Sequence, residues 1–187
     1  MSHSIARPEL TPGLAFGGRV WDSAITMVQL ASSTDSLARI DGARVAIIQG
    51  AWHRDLSDVM VRRCSEVLVA QGAADIAVHV LPGSLELPLA AQRLARRDRS
   101  LEAIIAFGII VKGDTDHYEV VRDLSIGGLG EVMLREDVPV IIEVLPVLHI
   151  DQARARCADN EFNKGIEAAG AAIGCIDWRR RHPLKAA

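Results

Sequence analysis

The stretch LEAIIAFGIIVKGDTDHYEVV, residues 101–121, decides how the chain is read. It opens with a nearly unbroken apolar run from Ile104 to Val111, whose length and Ile/Val content suit a strand buried on both faces. Lys112 and Gly113 end the run. Asp114 and Thr115 are helix N-cap residue types, and a helix is predicted from His117. A buried strand that feeds a helix through such a turn leaves free N–H groups at the helix start. With the helix dipole they form an anion site at the carboxyl end of the strand. His117 stands on the first helical turn beside that site, the layout of an anion cradle with a titratable imidazole. On spacing alone the commoner alternative is an ordinary strand-to-helix turn with a surface histidine.

Working outward, strands and helices alternate. RVAIIQ (44–49) reads as a strand, and Leu56 to Gln71 carries a helical stripe of Leu56, Met60, Val61, Cys64, Val67 and Leu68. DIAVHVL (75–81) is a second strand. Glu86 to Arg97 is a second helix with Pro88 in its first turn. VPVIIEVL (138–145) is a fourth strand. Two helical segments follow, 150–158 and 163–175, parted by the polar break 159–162. This order implies right-handed βαβ units and a three-layer α/β/α, flavodoxin-like fold on a four-stranded parallel sheet. The domain lies at 43–176. Residues 1–42 form a partly ordered extension, with Pro8, Pro12, Gly17-Gly18 and a Ser/Thr/Asp cluster at 32–36. Trp21 and the apolar stretch 27–31 argue against complete disorder. Residues 177–187 form a basic, fraying C-terminal tail.

Composition narrows the function. The chain has 187 residues, 49% hydrophobic and 24% charged, with a net charge of −3 and no basic stretch interleaved with aromatics, so nucleic acid is not an expected partner. Aromatics make up only 4%, so the core must be aliphatic. The mean hydropathy of +0.18 fits a chain that buries surface against copies of itself. No apolar run is long enough to span a membrane, and the first residues lack the apolar core of a secretory signal. Cys64, Cys157 and Cys175 form no C-x-x-C pair. They read as small buried residues of a protein in a reducing cytoplasm. The six histidines form no H-x-x-x-H pair, so no metal site is expected, and SIGGLG (125–130) falls inside a helical pattern without dinucleotide-loop spacing.

Sheets of this kind bind ligands outside the carboxyl ends of their strands. After the first strand comes GAWH (50–53), where Trp52 is either a stacking platform or a core residue. After the second comes PGSLELP (82–88). There Gly83 permits a turn, Ser84 can cap the next helix, and Glu86 either meets the helix dipole or accepts from a polyol. The fourth strand leads to a helix bearing Arg154 and Arg156. Arginine suits two-point phosphate binding, although a solvated helix face is its commoner role. Lys164 follows in FNKG.

Taken in order, these pieces resemble the 6,7-dimethyl-8-ribityllumazine synthase family, from about Arg44 to about Ile173. The similar motifs are G-x-x-H at 50–53, P-G-S-x-E-L-P at 82–88, K-G-x-T-x-H-Y at 112–118, V-P-V with V-L at 138–145, D-Q-A-x-x-R at 151–156 and N-K-G-x-E-A-A at 163–169. Each is weak alone, whereas the ordered set is specific. The resemblance implies condensation of 5-amino-6-(D-ribitylamino)uracil with 3,4-dihydroxy-2-butanone 4-phosphate, in riboflavin biosynthesis, without cofactor or metal. It implies that Trp52 stacks on the pyrimidine, that Ser84, Leu85 and Glu86 line the ribityl pocket, and that Ile109, Ile110 and Val111 present backbone to the ring. It also implies that Asp114 and Thr115 cradle the phosphate, that His117 carries protons, that Ile142 and Arg156 reach the site from an adjacent subunit, and that Lys164 lies nearby. The implied partners are small-molecule substrates and copies of the chain, as a pentamer or a multiple of pentamers.

Some residues depart from the family pattern. Ile142 stands where Phe is frequent, Glu143 where Gly is common, and CADNEF (157–162) lacks the usual glycines. The alternative reading is a non-catalytic flavin- or lumazine-binding, or shell-forming, paralogue. His117, Arg156, Lys164 and Glu86 together favour the enzyme, since scaffolding needs none of them.

Overall fold

In the computed structural model, which describes residues 37–184, the apolar run of the opening stretch is β3 (Ala103–Val111), buried from Ala103 to Ile110. It pairs in parallel with β1 (Arg44–Gly50) on one side and β4 (Val140–Val147) on the other, and β2 (Asp75–Leu81) pairs with the far edge of β1. The order β2-β1-β3-β4 is the flavodoxin-like arrangement, with the chain reversing direction across the sheet between β1 and β3. The first 36 residues of the expected extension lie outside the described residues, as do 185–187.

Alternation along the strands sorts the core into two layers. Val45 and Ile47 of β1 and Ile105 and Phe107 of β3 point to one face. They meet α1 (Arg54–Ala70) through Met60, Cys64 and Leu68, α4 (Ile150–Cys157) through Ala153, and α5 (Lys164–Arg181) through Ala169 and Ile173. Ala46, Ile48, Ile104 and Ala106 point the other way, onto α2 (Leu87–Arg97) and α3 (His117–Glu136) through Leu87, Ala91, Leu129 and Val132. β2 is the more exposed of the two edge strands. Among the described residues it pairs only with β1, and Val78 and Val80 are exposed on it.

Three sequence expectations shift in detail. The last strand starts at Val140 rather than Val138, because Pro139 has no N–H to donate to a ladder. The tail expected to fray from Trp178 is instead the last turn of α5. There Arg179 donates to the Asp137 carbonyl at 2.7 Å, Arg180 forms a two-point pair with Glu102 at 2.7 and 2.6 Å, and Trp178 stacks on His182 with ring centroids 4.8 Å apart. Arginines at a helix C-terminus complement its dipole, and the acceptors within reach hold the turn. Cys64 and Cys157 are buried as expected, whereas Cys175 is exposed.

The packing of α5 on α1 is set by one glycine. A Cβ on Gly165 would stand 2.1 Å from the Met60 carbonyl oxygen, which is backbone and has nowhere to go. Gly165→Ala should therefore destabilise the fold by roughly 1–3 kcal/mol or more, as forced overpacking does. A urea midpoint unchanged from that of the parent chain would show that the two helices can separate freely.

Candidate active site

Polar side chains gather at the carboxyl ends of β1, β2 and β3. β1 ends at Gly50, and the Ala51 N–H donates to the Leu81 carbonyl at 2.8 Å, so the two strand ends leave the sheet together. His53 adopts a left-handed backbone conformation (φ 56°), and its carbonyl accepts from the N–H groups of Leu56 and Ser57 at 3.0 and 3.2 Å. Beneath this turn Gln49 is buried. Its Nε2 donates to Asp58 Oδ1 at 2.9 Å, and its Oε1 accepts from Ser57 Oγ at 2.6 Å. The turn they hold presents Trp52 with 72% of its surface exposed, which removes the core reading of that residue.

Glycines bring the second strand end close. A Cβ on Gly50 would lie 3.4 Å from the Gly83 carbonyl carbon, and one on Gly108 would lie 2.7 Å from Ser84 Oγ. Gly83 has extended backbone (φ −158°), so it serves close approach rather than a left-handed turn. A Cβ there would stand 3.1 Å from Glu86 Oε2 and 3.6 Å from the Trp52 ring. Ser84 does not cap the next helix either. It is buried against β3 and opens a single 3-10 turn, Ser84–Glu86, which leaves Leu85 exposed and Glu86 half-buried.

At the end of β3, Lys112 to His117 are all exposed. The helix N-cap is Asp116, one residue beyond the expected pair, and its carbonyl accepts from Glu119 N–H at 3.1 Å. Thr115 Oγ1 lies 3.4 Å from His117 N–H. Lys112 Nζ donates to Glu119 Oε1 at 2.7 Å and stands 5.4 Å from the Tyr118 ring centroid, so an ion pair closes the loop that carries Asp114 and Thr115. Lys112 in turn holds the Glu119 carboxyl below the usual carboxylate range.

These parts enclose an open cleft of about 500 Å3. Trp52 and His53 form one wall, and Pro82, Gly83, Ser84, Leu85 and Glu86 form the second. Ile109, Ile110 and Val111 make the floor, and His117 and Val121 of α3 close it. Seven expected substrate-site residues and His117 thus converge. Asp114 and Thr115 lie outside the lining, in the exposed loop that leads into α3. Ile142, Arg156 and Lys164 do not line the cleft within one chain. Ile142 is half-buried in β4, Arg156 donates to the Gln152 carbonyl at 3.0 Å, and Lys164 is paired with Glu167. His53, Pro82, Gly83 and Val121 were missing from the expected lining, although the first three belong to quoted motifs. A larger hollow, about 710 Å3, lies at the opposite, amino end of the sheet. Its Arg179, Arg180 and Glu136 are paired with Asp137, Glu102 and Arg96, so the charges there are already matched.

The profile of the family described as 6,7-dimethyl-8-ribityllumazine synthase matches residues 42–180. A relative of that name from Xanthomonas euvesicatoria pv. vesicatoria is 40% identical over 137 residues, 72% of this chain and 88% of the relative. One from Xylella fastidiosa strain 9a5c is 38% identical over 144 residues, 76% and 93% of the two chains. The chain belongs to the lumazine synthase family. No described helix is long and apolar enough to cross a membrane. Among the described residues no group of three His, Cys, Asp or Glu side chains converges as metal ligands would.

Among the departures read in the sequence, Glu143 is the one that puts a carboxyl group in the sheet. Glu143 is half-buried in β4, opposite Phe107 of β3, and burial pushes its carboxyl up to about 7 from an ordinary 4.5. The folded state therefore holds this proton more tightly than the unfolded chain does. The stability it confers is full below about 4.5 and is lost as pH rises through about 7. Glu143→Gln should stabilise the protein by on the order of 1–3 kcal/mol near pH 8 and leave it unchanged near pH 4.5. Equal differences in Tm at both pH values would contradict this.

Proposed function

We propose that this member of the family is an active lumazine synthase. It condenses the 5-amino group of 5-amino-6-(D-ribitylamino)uracil with the ketone of 3,4-dihydroxy-2-butanone 4-phosphate. Imine formation releases water, elimination releases phosphate, and attack of the ribitylamino nitrogen closes the ring with loss of a second water. The observation that carries this reading is the convergence of an exposed Trp52, the Glu86 carboxylate, the carboxyl end of β3 and His117 on one cleft.

Each part has a physical role. Trp52 offers a flat face to the pyrimidine, and Glu86 accepts from ribityl hydroxyls. The backbone of Ile109, Ile110 and Val111 meets the ring edge, with Ser84 and Leu85 along the ribityl chain. The start of α3 with Asp114 and Thr115 receives the phosphate. His117, on the first turn of that helix, exchanges protons with the amine, the hydroxyl and the departing group. Holding two substrates side by side supplies much of the acceleration. Ile142, Arg156 and Lys164 complete the site from the neighbouring subunit, in a cytoplasmic pentamer or a multiple of one. The catalytic unit begins at 43, after the extension 1–42, and takes in the whole of α5 to Arg181.

Mixing the two substrates with the protein should generate lumazine fluorescence. Arg156→Ala should raise KM for the butanone phosphate on the order of 10- to 100-fold, as loss of a charge-assisted pair does. His117→Ala should lower kcat by about 100-fold or more, with pyrimidine affinity nearly intact. An absence of product with the parent chain would favour the binding paralogue. Variants with parent kinetics would move the phosphate and the proton carrier elsewhere.

Sedimentation should give the mass of a pentamer or a multiple of it. A stable, fully active monomer would sink the shared-site reading.

A further inference from the structure

One amide lies where the rest of its layer is aliphatic. Gln49 follows Val45 and Ile47 on the face of β1 that packs on α1, in register with Phe107 of β3, and it is 1% exposed. A valine or leucine there would need no partner, so cohesion alone does not account for an amide. Its direction is fixed by what surrounds it. The Asp58 carboxylate can only accept, so Gln49 Nε2 faces it at 2.9 Å, and Oε1 is left to the Ser57 hydroxyl at 2.6 Å. Asp58 is held in turn by Arg54 Nε at 3.3 Å. The amide thus ties the end of β1 to the first turns of α1, across residues 50–53. Among the described residues the start of α1 has no side-chain cap, and its N-cap is His53 with φ 56° and ψ 38°. A left-handed backbone is strained for a residue with a side chain and persists where its surroundings impose it.

We propose that Gln49, through Ser57 and Asp58, is a positioning residue that determines how tightly the pyrimidine substrate is held. This rests on the reading of Trp52 as the platform for that ring. Trp52 is exposed, and the segment that approaches its ring is the backbone at Gly83. The direction of the ring therefore follows the backbone of residues 51–53. Ahead of Trp52, the Ala51 N–H is bonded to the Leu81 carbonyl. Behind it, the His53 carbonyl is bonded to the start of α1, and that helix start is what Gln49 holds to the strand. Without the bridge, residue 53 is free to leave the left-handed region, and Trp52 turns with the peptide the two residues share. Only the molecules with the platform in place then bind the ring, and the apparent affinity falls by that fraction. The loop before α3 is fixed separately, by Lys112 and Glu119, so the phosphate end of the cleft is spared. Gln49 acts on one substrate and not on the other.

The test measures KM for each substrate, kcat and the calorimetric affinity for 5-amino-6-(D-ribitylamino)uracil alone, on the full-length assembled protein. Gln49→Met keeps the length of the side chain and removes both bonds. It should raise KM and the dissociation constant for the pyrimidine by about fivefold, the effect of one hydrogen bond, with KM for the butanone phosphate unmoved. A buried substitution can also lower the folded fraction, so the exposed Asp58 supplies a second pair of variants. Asp58→Ala should show the same loss as Gln49→Met. Asp58→Asn keeps an acceptor for Nε2 and should restore most of that loss. A role in stability alone would lower Tm and the active fraction and leave both KM values in place. That result, or equal losses in Asp58→Asn and Asp58→Ala, overturns the proposal. Trp52→Ala separates the inference from the reading beneath it. If it leaves pyrimidine affinity unchanged, Trp52 is not the platform, and the role of Gln49 falls with it. If it weakens the pyrimidine, adding Asp58→Ala should weaken it no further. A further loss by the same factor would show that the two act independently, and only the role of Gln49 falls.

Discussion

The contact on which the site depends is that of Ser84 with β3. Ser84 Oγ occupies the space that a side chain on residue 108 would need. Because Gly108 has none, the segment after β2 can lie against the strand instead of arching over it. That brings Glu86 and Trp52 to either side of Gly83 and places both above the ends of β1 and β3. A methyl group at Gly108 would push the 3-10 turn outward and open the cleft on its ribityl side. The geometry thus follows from small residues near the carboxyl ends of the strands: Gly50 lets the backbone at Gly83 and Ser84 approach, and Gly108 leaves room for the Ser84 side chain. The polar groups are carried there by that approach and contribute chemistry rather than cohesion.

Beneath it the sheet is conventional, and its stability comes from aliphatic burial on both faces. What distinguishes the carboxyl end is that polar groups are secured by one another. Gln49, Ser57 and Asp58 hold the turn under Trp52, Lys112 and Glu119 clasp the loop before His117, and Asn163 joins α4 to α5. Each set fixes one segment that bears a proposed substrate contact. Loops fixed in this way need little ordering when a ligand arrives, which preserves binding energy for the reaction.

Much of this was legible in the sequence, for identifiable reasons. β3 announced itself because a strand buried on both faces must be apolar throughout, and α1 because Met60, Cys64 and Leu68 recur at helical spacing. The convergence of Trp52, Glu86 and His117 followed from the rule that such sheets bind at their carboxyl edge. Local details were harder. Ser84 and Asp114 have the chemistry of helix caps, but packing against Gly108 claimed the first, and the helix takes Asp116, two residues on, in place of the second. Trp178 looked like part of a frayed end because its neighbours are basic, yet those arginines find Asp137 and Glu102, which are distant in sequence. The charge on Glu143 was visible; its burial was not, since a single acid in an apolar strand can face either way.

The exposed edge of β2 has a kinetic meaning. A strand that shows Val78 and Val80 to water, with one side of its backbone unpaired among the described residues, is a template for any other extended chain. A newly made copy therefore runs a race between completing its own fold beside that edge and pairing the edge with another extended chain. Only the second depends on concentration, so slower synthesis favours the first. What decides it is how quickly the correct surface forms beside that edge. The yield of functional protein is then governed as much by the order in which surfaces mature as by the final stability of the fold.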